Sequence, residues 1–207
     1  SIRFYHGKLV TDPSVNALTT HYKPYHDDVS NRFRPFLFHD LLYSREESDN
    51  TSSIRNRDEA RYILSLYDAL TRRYPNHQKN IGIIAPYRAQ RRLLMQLFQQ
   101  RYGLTSLDTE IATVDGFQGR EKDVIIFSCT RASHNSNSSN ADVIGFLREW
   151  QRLNVAITRA KYALWIVGNS RTLQRDSEWS ELISYARRQH CLLPFPNEKS
   201  TRFPDHA

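Results

Sequence analysis

Three stretches combine side chains able to bind phosphate or ribose at short spacing. They are Ile81-Gly-Ile-Ile-Ala-Pro-Tyr-Arg-Ala-Gln-Arg91, Ile111-Ala-Thr-Val-Asp-Gly-Phe-Gln-Gly-Arg-Glu-Lys-Asp-Val-Ile-Ile126 and Gly145-Phe-Leu-Arg-Glu-Trp-Gln-Arg-Leu-Asn-Val-Ala-Ile-Thr-Arg-Ala-Lys161. In the second, Gln118 and Glu121 flank Gly119. A missing Cβ permits backbone geometry that a side chain resists, and the Glu121 carboxylate can accept hydrogen bonds from ribose hydroxyls. A tight polar turn with a surface ion pair accounts for the same residues without a ligand. In the third, Arg152 and Arg159 lie seven positions apart, which on one helix puts both on one side. Each offers a planar, permanently charged fork suited to phosphate. A solvated basic helix face is the plainer account.

These stretches need elements to present them. Residues 36 to 42, after Pro35, form a short apolar run that reads as a buried strand. Ala60, Ile63, Leu64, Tyr67 and Leu70 recur at helical spacing and predict a helix over about 57–73, capped by Asn56 and ending before Pro75. Ile81 to Ala85 is a strand stopped by Pro86, and Arg88 to Arg101 a helix with Leu93, Leu94, Leu97 and Phe98 as its apolar positions. There follow strands at about 110–114 and 124–129, a helix at about 149–160, a strand at 163–167 and a closing helix at 176–189. Short apolar strands alternating with helices imply an α/β fold, a mainly parallel sheet with helices on both faces. Ligands of such sheets bind beyond the carboxyl ends of the strands, so positions after Ala85, Val114, Cys129 and Val167 are candidates, and the three stretches are expected to meet along one edge. Ser44 to Ser53 and 131–141 read as polar loops, the second mobile, and the tail from Leu193, with three prolines, as an extended linker.

Composition narrows the partners. Among 207 residues, 29 Lys and Arg against 22 Asp and Glu leave a net charge of +7, which favours an anionic partner through counterion release. No apolar run approaches the roughly 18 to 20 residues of a membrane helix, so no membrane partner is expected. The two cysteines lack CxxC spacing and argue against a disulfide framework or structural zinc, and no metal-ligating set is expected. Ser1 to Gly7 shows no signal-peptide layout and no initiator Met, so the start is expected to be a cut within a longer protein.

Taken together, Val114-Asp-Gly-Phe-Gln-Gly-Arg-Glu-Lys-Asp123 and Arg152-Leu-Asn-Val-Ala-Ile-Thr-Arg-Ala-Lys161 resemble motifs V and VI of Upf-like superfamily 1 helicases. Ile81 to Gln90 is similar to the motif that opens the core of the second RecA-like domain of that family. Phe4-Tyr-His-Gly-Lys-Leu9 resembles its Phe-Tyr-x-Gly-x-Leu lead-in, and Asn56-Arg-Asp-Glu-Ala60 its Asn-x-x-Glu-Ala helix start. The resemblance covers roughly residues 1 to 192. Ile144-Gly-Phe-Leu147, Leu164-Trp-Ile-Val-Gly168 and the Trp179 helix leading to Cys191-Leu192 are most like the senataxin type.

The resemblance implies a three-layer RecA-like domain, a P-loop NTPase fold without a phosphate loop of its own. It divides the chain into a lead-in at 1–34, the domain at 35–192 and an extension at 193–207. Carried over by motif, Arg159 is the arginine finger reaching the γ-phosphate of ATP across a cleft. Gln118, Gly119, Glu121 and Arg152 are expected on the nucleotide side, and Pro86, Tyr87, Thr113 and Asp115 against a nucleic-acid backbone. Gln151 replaces the first Arg of the family's Arg-Arg-Leu-Asn, which puts that contact in doubt. ATP with Mg2+ is expected to be held mainly by the first RecA-like domain of the same protein, because GxxxxGK[ST] occurs nowhere in the chain. The family's adenine-stacking Tyr and another phosphate-binding Arg are expected upstream of residue 1, so the chain alone is expected to bind nucleotide poorly and to be inactive. Asp58-Glu59-Ala60-Arg61 mimics a magnesium-binding DEAx box but starts an amphipathic helix, and is rejected as a metal site. The implied function is the second motor domain of an ATP-driven helicase or translocase on single-stranded RNA or DNA, including RNA:DNA hybrids, in the nucleus. An ATP-independent nucleic-acid-binding or scaffold domain is the alternative.

Overall fold

A computed structural model describes residues 33–48, 53–75, 80–103, 109–133, 144–195 and 197. The lead-in up to residue 32, residues 134–143 and the end of the tail lie outside them. Six strands form one parallel sheet: β1 (Phe36–Leu41), β4 (Ile81–Ile84), β5 (Glu110–Ala112), β6 (Lys122–Ser128), β7 (Ala160–Gly168) and β8 (Leu192–Phe195). They are ordered β5-β4-β6-β7-β1-β8. Two short strands, β2 (Glu47–Ser48) and β3 (Ile54–Arg55), pair antiparallel apart from it. The helices are α1 (Arg57–Arg73), α2 (Arg88–Tyr102), α3 (Trp150–Ile157), α4 (Ser170–Leu173) and α5 (Ser177–Arg188).

Alternate residues of the inner strands serve opposite faces, as the two-residue period of a strand requires. Ile83, Val124, Ile126 and Trp165 pack with Ile63, Leu66, Leu70, Leu94 and Phe98 of α1 and α2. Ile84, Ile125, Phe127 and Ile166 pack with Leu153, Ala156, Trp179 and Ile183 of α3 and α5. The result is the expected three-layer α/β architecture. Burial of both faces is why these strands read as unbroken apolar runs rather than as alternating ones.

Capping sets the helix starts. The Asn56 side chain accepts from the Glu59 amide at 3.0 Å, and the Asp58 carboxylate favours the positive end of α1. Asp176 accepts from the amides of Glu178 and Trp179 to open α5.

Four expectations change. The helix expected over 149–160 stops at Ile157: the Arg159 amide donates three residues back, to the Ala156 carbonyl at 3.3 Å, and the chain turns into β7 at Ala160. The strand expected over 110–114 ends at Ala112, where the turn holding Asp115–Phe117 begins. The segment read as a loop over 44–53 contains β2, tied to β3 and α1 by ion pairs from Glu47 to Arg55 and Arg57. Leu193 to Phe195, read as linker, belong to β8, paired with β1 from His39 to Leu41. Pro194 is tolerated because β8 is an edge strand.

Candidate functional site

Arg152 excepted, the nucleotide-side and strand-side candidates fall at opposite edges of the sheet. β6 begins at Lys122 and β7 at Ala160, so Glu121 and Arg159 both precede their strands and sit side by side at the amino edge. The Lys122 amide donates to the Arg159 carbonyl at 3.1 Å, which joins the second stretch to the third. Pro86 and Tyr87 follow β4, and Thr113 and Asp115 follow β5, so these four belong to the carboxyl edge. The expectation of a single meeting edge is therefore corrected. The chain between β5 and β6 must cross from one edge to the other because the strands are parallel, and α3 must do the same between β6 and β7.

At the amino edge, local chemistry sets each side chain. Phe117 is fully buried, and its ring fills the space beside Gly82, where a Cβ would stand 2.5 Å from the ring. That anchor leaves Gln118, Gly119, Arg120 and Glu121 exposed, with Gly119 at φ +75° to turn the chain. Arg120 pairs with Glu110, whereas Glu121 reaches solvent. Arg159 is half-buried in the turn after α3. Its Nε donates to the Val155 carbonyl at 2.9 Å and its Nη2 to the Thr158 hydroxyl at 3.0 Å. A cation is favoured there by the negative end of α3. Two of the five guanidinium N–H groups are used, and the others have no partner among the described residues. Guanidinium donors, an amide and an exposed carboxylate fit phosphate and ribose.

Arg152 is the candidate the fold relocates. Since Arg159 lies beyond the end of α3, the two arginines do not share a helix face. Arg152 lies on α3's first turn, pairs with Glu149 at 3.0 Å and Asp115 at 3.7 Å, and covers the Phe146 ring at 4.7 Å. It therefore stands with the strand-side candidates. Phe146 in turn meets Tyr87 edge-on at 6.2 Å. Gly145, at φ +54°, lets this turn approach, because a Cβ there would stand 3.1 Å from the Tyr87 hydroxyl. Burial pushes the Tyr87 phenol up to about 12. Thr113 accepts from the Gly116 amide at 3.3 Å and shapes the Asp115 turn.

Beneath Tyr87 lies a polar network the sequence reading did not assign. Gln90 pairs with both backbone groups of Asn56, accepting from its N–H at 2.8 Å and donating to its carbonyl at 3.2 Å. It also donates to the Ser128 hydroxyl, which donates to Glu59 at 2.7 Å. Glu59 further accepts from the Thr130 amide at 2.9 Å. Burial pushes its carboxyl up to about 8 despite these donors. Its oxygens are committed to protein donors. A signal for this network existed. Glu59 takes the helical phase of Ile63, Leu66 and Leu70, and Gln90 that of Leu94 and Phe98, so each is polar at a core position.

Comparison with known proteins agrees with these motifs. The family described as AAA domain matches residues 1–171. Helicase SEN1 of Saccharomyces cerevisiae is 35% identical over 197 residues, which cover 93% of this chain and 8% of that protein. ATP-dependent helicase NAM7 of the same yeast is 38% identical over 194 residues, 92% of this chain and 19% of that protein. Probable helicase senataxin of Homo sapiens is 37% identical over 162 residues, 78% of this chain and 6% of that protein. The chain thus spans less than a fifth of the length of each of these relatives.

Proposed function

We propose, from the premise that this chain belongs to the Upf-like superfamily 1 helicases as one of their C-terminal RecA-like domains, that it is the second motor half of an ATP-driven helicase or translocase. The observation that carries the reading is the bond joining Lys122 to Arg159, which sets a half-buried guanidinium with unused donors beside exposed Glu121. ATP with Mg2+, held mainly by the first RecA-like domain of the same protein, supplies the phosphoryl group whose transfer drives movement. Arg159 offers a fixed cation to the charge that develops on that group. Glu121 accepts from ribose hydroxyls, and Gln118 and Gly119 line the same side.

The carboxyl edge is the strand track. Pro86, Tyr87, Thr113 and Asp115 face the nucleic-acid backbone, and Arg152, by its contacts with Asp115 and Phe146, works on this side instead of the nucleotide side. Single-stranded RNA or DNA, RNA:DNA hybrids among them, is the partner class. The nucleus is the location the senataxin likeness favours. Alone, the chain binds nucleotide poorly and is inactive. In the full-length protein, Arg159→Ala should cut strand-stimulated ATP hydrolysis by ~10³-fold or more while strand affinity stays within about threefold. Unchanged turnover removes the arginine-finger role.

A further inference from the structure

β4 leads through α2 to β5 on one side of the sheet, and β6 leads through α3 to β7 on the other, with α2 and α3 on opposite faces. β4 and β6 are adjacent, so their carboxyl ends mark a topological switch point, where two turns part and a ligand crevice forms. The turn after β4 carries Tyr87, and the turn after β6 carries Thr130. The Asn56, Glu59, Gln90 and Ser128 network lies between them.

Thr130 is the unusual member. It stands at φ +69°, a left-handed conformation that β-branched residues avoid, and its buried hydroxyl has no partner among the described residues. Its amide is held by Glu59, and its carbonyl accepts from the Asn56 side chain at 3.2 Å. Such a conformation persists where the surroundings over-determine it, and such positions cluster at functional sites. A core built only for packing would place apolar residues at 59 and 90 and leave no polar group to satisfy.

We propose that Glu59, Gln90 and Ser128 are positioning residues for strand binding, forming a buried clamp that fixes the Tyr87 turn against the Thr130 turn as two walls of the switch-point crevice. This rests on the reading of the carboxyl edge as strand-facing. The clamp touches neither nucleotide nor strand and acts through the two turns. Gln90 reaches Tyr87 through α2's first turn, since Tyr87 is the residue before that helix. Glu59 reaches the other wall through the Thr130 backbone.

The test measures, in the full-length protein, the Kd of a fluorescein-labelled oligouridylate at low salt and the ATP turnover at saturating strand. Gln90→Ala and Glu59→Ala should each raise Kd about tenfold or more while turnover at saturation stays within about threefold. Glu59→Gln, which keeps a carbonyl acceptor for the Thr130 amide and the Ser128 hydroxyl, should return Kd to within about threefold of wild type. If Glu59→Ala does not fold, Gln90→Ala decides alone, because it leaves the Glu59 to Thr130 bonds in place. A lowered melting temperature with wild-type Kd in Gln90→Ala, or no recovery in Glu59→Gln, overturns the clamp. A wild-type protein that binds no strand removes the strand-facing reading and the clamp with it, whereas wild-type binding with unaltered variants removes the clamp only.

Discussion

The two edges of one sheet solve different problems. At the amino edge Gln118, Gly119 and Glu121 are exposed, and Arg159 is held by two bonds to its own helix end and turn. At the carboxyl edge Tyr87, Phe146 and Thr130 are set by groups far apart in the chain: Asn56 and Gln90 are separated by 34 residues, Glu59 and Ser128 by 69. A site completed by another surface must leave its donors unsatisfied and accessible. A surface complete in itself can bury its supports, and must, because a half-satisfied polar network in the interior is costly. The amino edge therefore resembles half of an active site, and the carboxyl edge a finished wall.

Substitutions can break this contrast. The largest expected effect is the loss of turnover in Arg159→Ala, which should leave the urea midpoint nearly unchanged, since a partly exposed side chain away from the core usually changes stability by about 0.5 kcal/mol or less. A large fall in stability would mean that Arg159 serves the fold instead.

Next in size is a pair of glycines. Gly145→Ala meets the Tyr87 hydroxyl at 3.1 Å in a left-handed backbone, whereas Gly119→Ala, also left-handed at φ +75°, meets nothing within 4 Å. Urea denaturation should give about 1–3 kcal/mol for Gly145→Ala and about 1 kcal/mol for Gly119→Ala. Equal costs would show that the carboxyl edge is no more tightly built than the amino edge.

The buried acid sharpens the contrast through pH. Glu59 keeps its proton in the folded chain between its ordinary 4.5 and about 8, where the unfolded chain has lost it, so rising pH through that window favours unfolding. His39, held by burial down to about 3, does the reverse between about 3 and 6.5, and the two oppose each other between about 4.5 and 6.5. Between pH 6.5 and 8 the stability of wild type should therefore fall relative to Glu59→Gln, as read from urea midpoints. Parallel curves would show that Glu59 is ionised in the fold.

The smallest effect belongs to Arg152→Ala. Its side chain is 44% exposed and that of its partner Asp115 is 68% exposed, so the ion pair contributes less than about 1 kcal/mol. A thermal melt should scarcely move. A large loss of stability would place Arg152 among the supports of the wall.

Local patterns determined the α/β class, the helix caps at Asn56 and Asp176, and the identity of most candidate side chains, because propensity and hydrophobic period act over a few residues. The family motifs were likewise readable as words in the chain. Which edge each word occupies was not. Arg159 sat on the predicted helix until α3 ended at Ile157, two residues earlier, and Arg152 came to lie beside Asp115 and Phe146 instead. Glu59 and Gln90 were visible as polar residues in apolar phase, but their common partner Ser128 lies on β6, and only the parallel pairing of β4 with β6 brings it between them. Strand order and the direction of each crossover are long-range choices, made by burying two faces of one sheet at once, and no spacing within a motif encodes them.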